Sequence, residues 1–463
     1  MPGKRVNFNI SERKVLLRIF DMLFILVVLH LVSQFFHFDY FTITKDKWRW
    51  VFVLLLYISV FGTIFEMYDL QKSSKIEKIA TSIVVTVSIT VLFYLLTPFF
   101  TPILPGNRLQ ILYFYLAILI ALFVWRLAYL TLITSPRFYR QVLLVGETQH
   151  ASKIISDFKN SDPNYNIVGI INCDVDPAKS KTIEGITEYY PEDIEGIIQD
   201  KFISEIIVTG CNPELINPKI YHGLITLLEN GIPIKEYTQV YENMTQRVPV
   251  QFIGKDFYRY FPFSRSNQNR LYLFFQRLSD IVISMIGILS SLFVVPFVFI
   301  GNLLGNRGPL FYTQQRVGKH GRVFKIIKFR SMCMDAEAQG AVWASKNDSR
   351  ATRFGRFLRY SRLDEVPQFI NVLKGDMSII GPRPERPVFV KELTKVLPYY
   401  EIRHIIKPGL TGWAQVKTRY GASVDDSLLK LQYDLYYIKH RSFLLDANIF
   451  IKTLSTIIFY RGQ

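Results

Sequence analysis

A chain of 463 residues that is 49% hydrophobic and 15% aromatic is long enough for two to three domains and too apolar for an ordinary soluble protein. Its three cysteines, Cys173, Cys211 and Cys333, are odd in number and far apart, and its seven histidines form no pair at ligand spacing, which excludes a disulfide framework and a zinc motif and points to a reducing compartment. The net charge of +17 lies mostly in residues 266–463, where 29 Lys and Arg face 14 Asp and Glu, so this part seeks phosphate in nucleic acid, anionic lipid or a nucleotide; residues 137–265 carry 13 against 17.

Four apolar runs fill the first 136 residues: Val15–Phe36, Trp48–Phe65, Ile79–Phe100 and Leu109–Ile133. Each is about long enough to cross a bilayer as a helix. The first is too long for a signal peptide and lacks a small-residue cleavage site. With the N-terminus inside, inner segments carry ten Lys and Arg (Lys4, Arg5, Arg13, Lys14, Arg18, Lys72, Lys75, Lys78, Arg137, Arg140) and outer loops four (Lys45, Lys47, Arg49, Arg108). That asymmetry predicts an inside N-terminus and a chain returned to the cytoplasm after four crossings.

Residues 137–240 then read as alternating strand and helix. RQVLLVG, NIVGIIN and SEIIVTG are strands, which implies a parallel, doubly wound sheet. The turn after the first strand reads GETQHA, not GxGxxG, so the backbone lacks the glycines that let it approach a pyrophosphate. The expectation is a degenerate Rossmann-like domain, followed by a linker over 241–265.

A fifth apolar run spans Asp280–Pro309 with Pro296 in its middle. That proline removes a helix hydrogen bond and clashes with the carbonyl of Leu292. Ser290 and Ser291 can re-satisfy freed backbone groups. Residues alone leave two readings open, a spanning helix or a hairpin that enters and leaves on one side.

The chemistry gathers beyond it. GPLFYTQQRVGKHGRVFKIIKFRSM (308–332) contains an alternating strand, VFKIIKF. In NDSRATRFGRFLRYSRLDEVPQF, Arg353, Arg356 and Arg359 recur every third residue with Phe354, Phe357 and Leu358 between, the pattern of a helix at a membrane surface. Asp364 and Glu365 precede Pro367 and a short helix expected to run to about Lys374 and stop at Gly375. Acids at such a place commonly cap a helix. Here they sit among arginines, and Arg383 follows in a rigid GPRP turn. A carboxylate among arginines is held ionised and can act as a nucleophile. Its neighbour can hold Mg²⁺. A guanidinium in a fixed frame suits bidentate phosphate binding.

Residues 266–463 closely resemble the catalytic domain of the bacterial polyprenyl-phosphate sugar-1-phosphate transferases, the monotopic phosphoglycosyl transferases. The blocks that carry the resemblance are 308–332, FGRFLRYSRLDEVPQFINVLKGDMSIIGPRPERP, KPGLTGWAQV and LQYDLYYIKHRSF. The preceding helices and Rossmann-like domain resemble the large members, which start exopolysaccharide or O-antigen synthesis. The resemblance implies a membrane α plus α/β architecture: a four-helix transmembrane domain (1–136), the Rossmann-like domain (137–240), a re-entrant membrane helix (266–306) broken at Pro296, and a small α/β catalytic domain (307–463). Many members have a serine before that proline, whereas Val295 stands here. It implies attack of Asp364 on a UDP-sugar, loss of UMP, and transfer of the phosphosugar to undecaprenyl phosphate. Glu365 matches the Mg²⁺ position, Arg359 and Arg383 match phosphate-binding arginines, and Lys328 and Arg330 are further substrate contacts. A catalytic domain on the cytoplasmic face of the bacterial inner membrane, anionic lipid as a partner, a homodimer and no nucleic acid complete the expectation. Two competing readings are a membrane-attached nucleotide-sugar oxidoreductase or epimerase using the middle domain, and a non-catalytic scaffold for polysaccharide assembly. No residue here decides which sugar is carried.

Overall fold

A computed structural model describes residues 10–458 with gaps, the longest at 69–75, 134–139, 159–164, 174–184, 190–202 (except 196), 210–217, 253–268, 337–347 and 419–422. Residues 147–150 of the GETQHA turn lie outside the described residues, and with them Thr148, where the second fingerprint glycine would stand. Ala151, in place of the third, is buried. The chain divides into two compact units, Met1–Thr245 and Gln246–Gln463.

The first unit opens with four helices, α1 (Ile10–Phe35), α2 (Trp48–Ile64), α3 (Ile76–Leu96) and α4 (Leu109–Ile133). Residues three or four apart point inward: Ile25 and Leu29 of α1, Leu54 and Ile58 of α2, Ile83 and Val87 of α3, and Phe114, Ile118 and Leu122 of α4 are fully buried. That spacing is the inward stripe of packed helices. The opposite faces are equally apolar, with Leu23, Val27, Phe52, Leu92, Ile120 and Val124 exposed, as expected for helices solvated by lipid. α1, α3, α4 and a later helix are long and apolar enough to cross a membrane, whereas α2, at 17 residues, is shorter. A buried ion pair, Arg126 to Asp21 at 2.6 Å, ties α4 to α1. This is a membrane protein.

A five-stranded parallel sheet follows, in the order β3-β2-β1-β4-β5: β1 (Arg140–Gly146), β2 (Tyr165–Asn172), β3 (Thr187–Tyr189), β4 (Glu205–Thr209) and β5 (Ile234–Glu236). The parallel sheet expected from the alternating pattern is present. Val142, Leu143, Leu144, Ile206 and Ile207 are buried, as central parallel strands require. Residues 154–158 are helical, and two further helices, α5 (Pro218–Glu229) and α6 (Tyr237–Thr245), also belong to this unit, which ends at Thr245. Of the segment expected as a linker, positions 253–265 lie outside the described residues.

The second unit is built on α7 (Arg270–Gly305), 36 residues long. At 1.5 Å per residue such a helix measures about 54 Å, against about 30 Å for a bilayer core. Pro296 lies inside α7, and the helix continues past it instead of ending there. Ser290 Oγ donates to Ile286 O at 2.8 Å and Ser291 Oγ to Ile288 O at 2.5 Å, so both hydroxyls bond back within the helix. Near its start, Arg277 donates to the carbonyls of Val372 and Leu373, both at 2.7 Å, and Asp280 accepts from Ile379 N at 2.8 Å. Near its end, Asn302 donates to Gly308 O and Asn306 to Arg330 O, both at 2.7 Å. Both ends are thus held to the same domain. The other flank of α7 exposes Leu289, Leu292, Phe293, Ile300 and Leu304.

Against α7 packs a small α/β domain. An antiparallel hairpin, β6 (Phe311–Val317) and β7 (Val323–Phe329), contains the alternating VFKIIKF segment. Then come α8 (Arg353–Tyr360), α9 (Gln368–Lys374), β8 (Ser378–Ile380), α10 (Pro387–Val396), β9 (Gly409–Thr411), α11 (Trp413–Lys417), α12 (Val424–His440) and α13 (Phe443–Ile458), with β8 and β9 parallel. Trp413 packs in the core with Leu431, Leu435 and Ile438. α8 approaches the end of β7 so closely that a Cβ on Gly355 would overlap the carbonyl oxygen of Ser331. Gly355→Ala is therefore expected to destabilise the protein by about 1–3 kcal/mol, because helix and strand must separate. Thermal unfolding in detergent checks this; an unchanged Tm would mean that α8 moves away freely.

Candidate active site

α8 begins at Thr352, whose Oγ1 accepts from Gly355 N at 2.8 Å, and ends in a sharp reversal. Arg362 makes that reversal with φ +60°, a left-handed conformation unusual for a residue with a side chain. A single 3-10 turn, Leu363–Glu365, follows. Leu363 and Val366 pack against Val298, Phe329 and Leu358. With those two side chains committed to the core, Asp364 and Glu365 are carried on the remaining side of the turn. Pro367 then starts α9, no side chain caps it, and Gly375 closes it with φ +93°. The two acids therefore do not perform the capping role that their position before a helix suggested.

Glu365 sits in a nest of cations. Its Oε1 accepts from Arg383 Nη2 at 2.8 Å and from Lys328 Nζ at 3.1 Å, and its Oε2 from Arg362 Nη1 at 3.4 Å. Burial alone would raise its carboxyl, but Arg383, Lys328 and Arg362 outweigh burial and hold it well below the usual range. Asp364 is different. It is 7% exposed, and its Oδ1 is buried with no hydrogen-bond partner. Burial, then the charge of Glu365, pushes its carboxyl up to about 6, against the pull of Lys328, Arg362 and Arg359. Two adjacent carboxylates are thus driven apart, one pulled down and paired with cations, the other pushed up with Oδ1 unpartnered. Such a division makes the pair a candidate for acid–base or nucleophilic chemistry.

The third component is the loop 381–385. Gly381 N donates to Thr411 O at 2.9 Å, Gly409 N to Pro382 O at 2.9 Å, Arg316 Nη1 to Pro384 O at 3.1 Å and Val317 N to Glu385 O at 2.9 Å. A Cβ on Gly409 would overlap the backbone nitrogen of Gly381, so the approach requires glycine. The Arg383 carbonyl accepts from Arg403 Nη2 at 3.0 Å, and the same nitrogen donates to Asp434 Oδ2 at 2.8 Å. Burial pushes the Asp434 carboxyl up to about 6 in spite of Arg403.

Of the residues expected from sequence, Asp364, Glu365, Lys328 and Arg383 come together. Arg359 stands at the edge, 4.0 Å from Asp348 and close enough for its charge to act on Asp364. Arg330 Nε donates to Pro309 O at 3.0 Å and its guanidinium lies 5.7 Å from the Tyr312 ring centre. Pro296 lies in α7, near Val298 and Phe297, which pack on α8. Sequence reasoning missed Arg362, Arg403 and Asp434 as parts of the arrangement. Arg362 had a signal, since it lies three residues before Glu365. Arg403 and Asp434 had none, being separated from each other and from Arg383 by long stretches of chain.

Residues 271–460 match the model of a family described as bacterial sugar transferase. A sugar transferase of Bacillus subtilis, itself uncharacterized, is 34% identical over 191 residues, 40% of this chain and 89% of that protein. The chain belongs to the bacterial sugar transferase family. Within this family it is 42% identical over 229 residues to the UDP-N-acetylgalactosamine-undecaprenyl-phosphate N-acetylgalactosaminephosphotransferase of Aeromonas hydrophila, a match spanning 49% of this chain and about half of that relative, 52%. It is 28% identical over 339 residues to the UDP-glucose:undecaprenyl-phosphate glucose-1-phosphate transferase of Escherichia coli, covering 68% and 67% of the two chains. A second model, described as a CoA-binding domain, matches residues 63–209. The resemblance read in residues 266–463 is thereby supported as family membership.

Proposed function

We propose that this protein transfers a sugar 1-phosphate from a UDP-sugar to undecaprenyl phosphate on the cytoplasmic face of the bacterial inner membrane, the first membrane step of exopolysaccharide or O-antigen synthesis. The observation that carries the reading is the unpartnered, buried Oδ1 of Asp364 beside a Glu365 held ionised by three cations. In the first step Asp364 Oδ1 attacks the β-phosphorus of the donor. The bond from that phosphorus to the oxygen bridging the two phosphates breaks, and UMP leaves with the bridging oxygen. In the second step a phosphate oxygen of undecaprenyl phosphate attacks the same phosphorus and Asp364 is released as carboxylate. Phosphoryl transfer demands positioning and charge neutralisation above all. Arg383, Lys328 and Arg362 supply the positive charge, and Arg359 adds to the field at the edge.

Mg²⁺ belongs to this reading. Two adjacent carboxylates among cations, Asp364 and Glu365, are the oxygen ligands that this ion takes beside substrate phosphates. Glu365, assisted by Asp364, would hold it, exchanging one of its present cation pairs. When bound, the ion supplies charge neutralisation at the donor's diphosphate.

The two-ended attachment of α7 supports a re-entrant or surface-lying helix rather than a crossing, with its apolar flank toward lipid. The exposed Arg353, Arg356 and Phe357 of α8 suit the same interface with anionic headgroups. A homodimer belongs to this reading as well. The relatives' names differ in the sugar they carry, so the donor is to be found by measurement. UMP release from a panel of UDP-sugars, with Mg²⁺ and undecaprenyl phosphate present, is expected with one donor or a few; no release from any of them would overturn the proposal.

A further inference from the structure

Arg383 reaches Glu365 through its side chain, and its backbone carbonyl is held by a second arginine, Arg403. Arg403 and Asp434 have side chains only 6% and 2% exposed. Arg403 Nη2 is shared between Asp434 Oδ2 at 2.8 Å and Arg383 O at 3.0 Å. Its Nη1 donates to the Tyr400 hydroxyl, and its guanidinium carbon lies 4.9 Å from the centre of that ring. Burying an ion pair is costly, and a well-packed apolar pair of similar volume is commonly as stable. This one is aimed at a single main-chain carbonyl, that of the arginine between two prolines.

We infer that Asp434 and Arg403 are positioning residues for Arg383, fixing its backbone so that its guanidinium meets the donor's diphosphate. The inference rests on the proposed role of Arg383 in phosphate binding. Asp434 holds the plane of the Arg403 guanidinium, and that plane places the second hydrogen bond on Arg383 O. Without Asp434 the fork is free to turn, and the GPRP loop loses one of the bonds that hold it. The phosphate-binding group then moves even though no contact to substrate has been removed. Displacements on the order of 1 Å at such sites cost up to about a hundredfold.

The test is binding of UDP to the full chain in detergent with Mg²⁺, measured calorimetrically for wild type, Arg383→Ala, Asp434→Asn, Arg403→Lys and the double variant Arg383→Ala/Asp434→Asn. Asp434→Asn is expected to weaken UDP binding roughly ten- to a hundredfold. In the Arg383→Ala background it is expected to have no further effect, because its action passes through Arg383. A purely structural role would not produce that dependence. Arg403→Lys keeps the charge beside Asp434 but not the rigid fork, so it is expected to weaken binding as well, and it carries the test if Asp434→Asn fails to fold. Wild-type affinity in both Asp434→Asn and Arg403→Lys, with Arg383→Ala weakened, overturns the positioning role alone. So does a double variant weakened by the full product of the two single effects. Wild-type affinity in Arg383→Ala overturns the reading of Arg383 itself, and the positioning role with it.

Discussion

Asp364→Asn is expected to abolish transfer, lowering UMP release by roughly four orders of magnitude or more, as loss of a covalent nucleophile does. The amide has nearly the same shape, so the substitution isolates the chemistry. Its cost to folding is expected to be small or favourable. Asp364 Oδ1 has no hydrogen-bond partner to lose. Its carboxyl is pushed up to about 6 by burial and by Glu365, above the ordinary value of 3.8. A carboxyl with a raised folded-state value contributes its full stability only below the unfolded value, and that contribution is lost as pH rises through about 6. At neutral pH the ionised side chain therefore costs stability, and a neutral amide relieves that cost. The variant should melt no lower than wild type while losing its activity, the usual relation between a strained functional group and the fold that carries it. Single-turnover trapping with a donor labelled at the β-phosphate makes the result decisive. Without acceptor, wild type should retain label on protein and the variant none. A variant that still releases UMP at the wild-type rate removes Asp364 as nucleophile.

What could be read in the sequence was local. The four apolar runs coincide closely with α1 to α4, because a lipid-facing helix declares itself by composition over its whole length. VFKIIKF alternates because one face of the hairpin packs on the domain, and Gly375 marks the end of α9 because the chain there needs a positive φ. Asp364 and Glu365 stood out through their neighbours in sequence. The remainder depends on residues that meet only after folding. Asp434 lies 31 positions from Arg403, which lies 20 from Arg383, and no periodicity links the three. Asp21 and Arg126, 105 positions apart, pair inside a bundle whose runs are apolar by composition. The path of α7 was open for a similar reason. Hydropathy gives the length of a helix but not what its ends touch, and the contacts of Arg277 and Asn306 with one domain form only on folding.

Glu365→Gln is expected to lower kcat/KM for the donor by roughly a hundredfold or more, and also to move the acid limb of its pH profile. The loss follows from electrostatics. Arg383, Lys328 and Arg362 converge on this carboxylate, and a neutral amide neither holds them in place nor offers a charged ligand to Mg²⁺. The shift of the limb is the more specific consequence. In the free enzyme Asp364 must be ionised to attack, so kcat/KM should fall as pH drops below about 6. The charge of Glu365 is the second-largest cause of that raised value, after burial. Removing it leaves Asp364 facing Lys328, Arg362 and Arg359 alone, all of which favour its ionised form. The limb must then move to lower pH. A site opened to water would lower the limb as well, because burial is the larger cause of the raised value, so thermal unfolding of the variant is measured beside the profile and is expected to stay near that of wild type. Profiles of kcat/KM across the range from mildly acidic to mildly basic pH for both proteins check the shift. A limb that stays near 6 in the variant would show that Glu365 does not set the ionisation of its neighbour, and a limb that rises would require a different nucleophile.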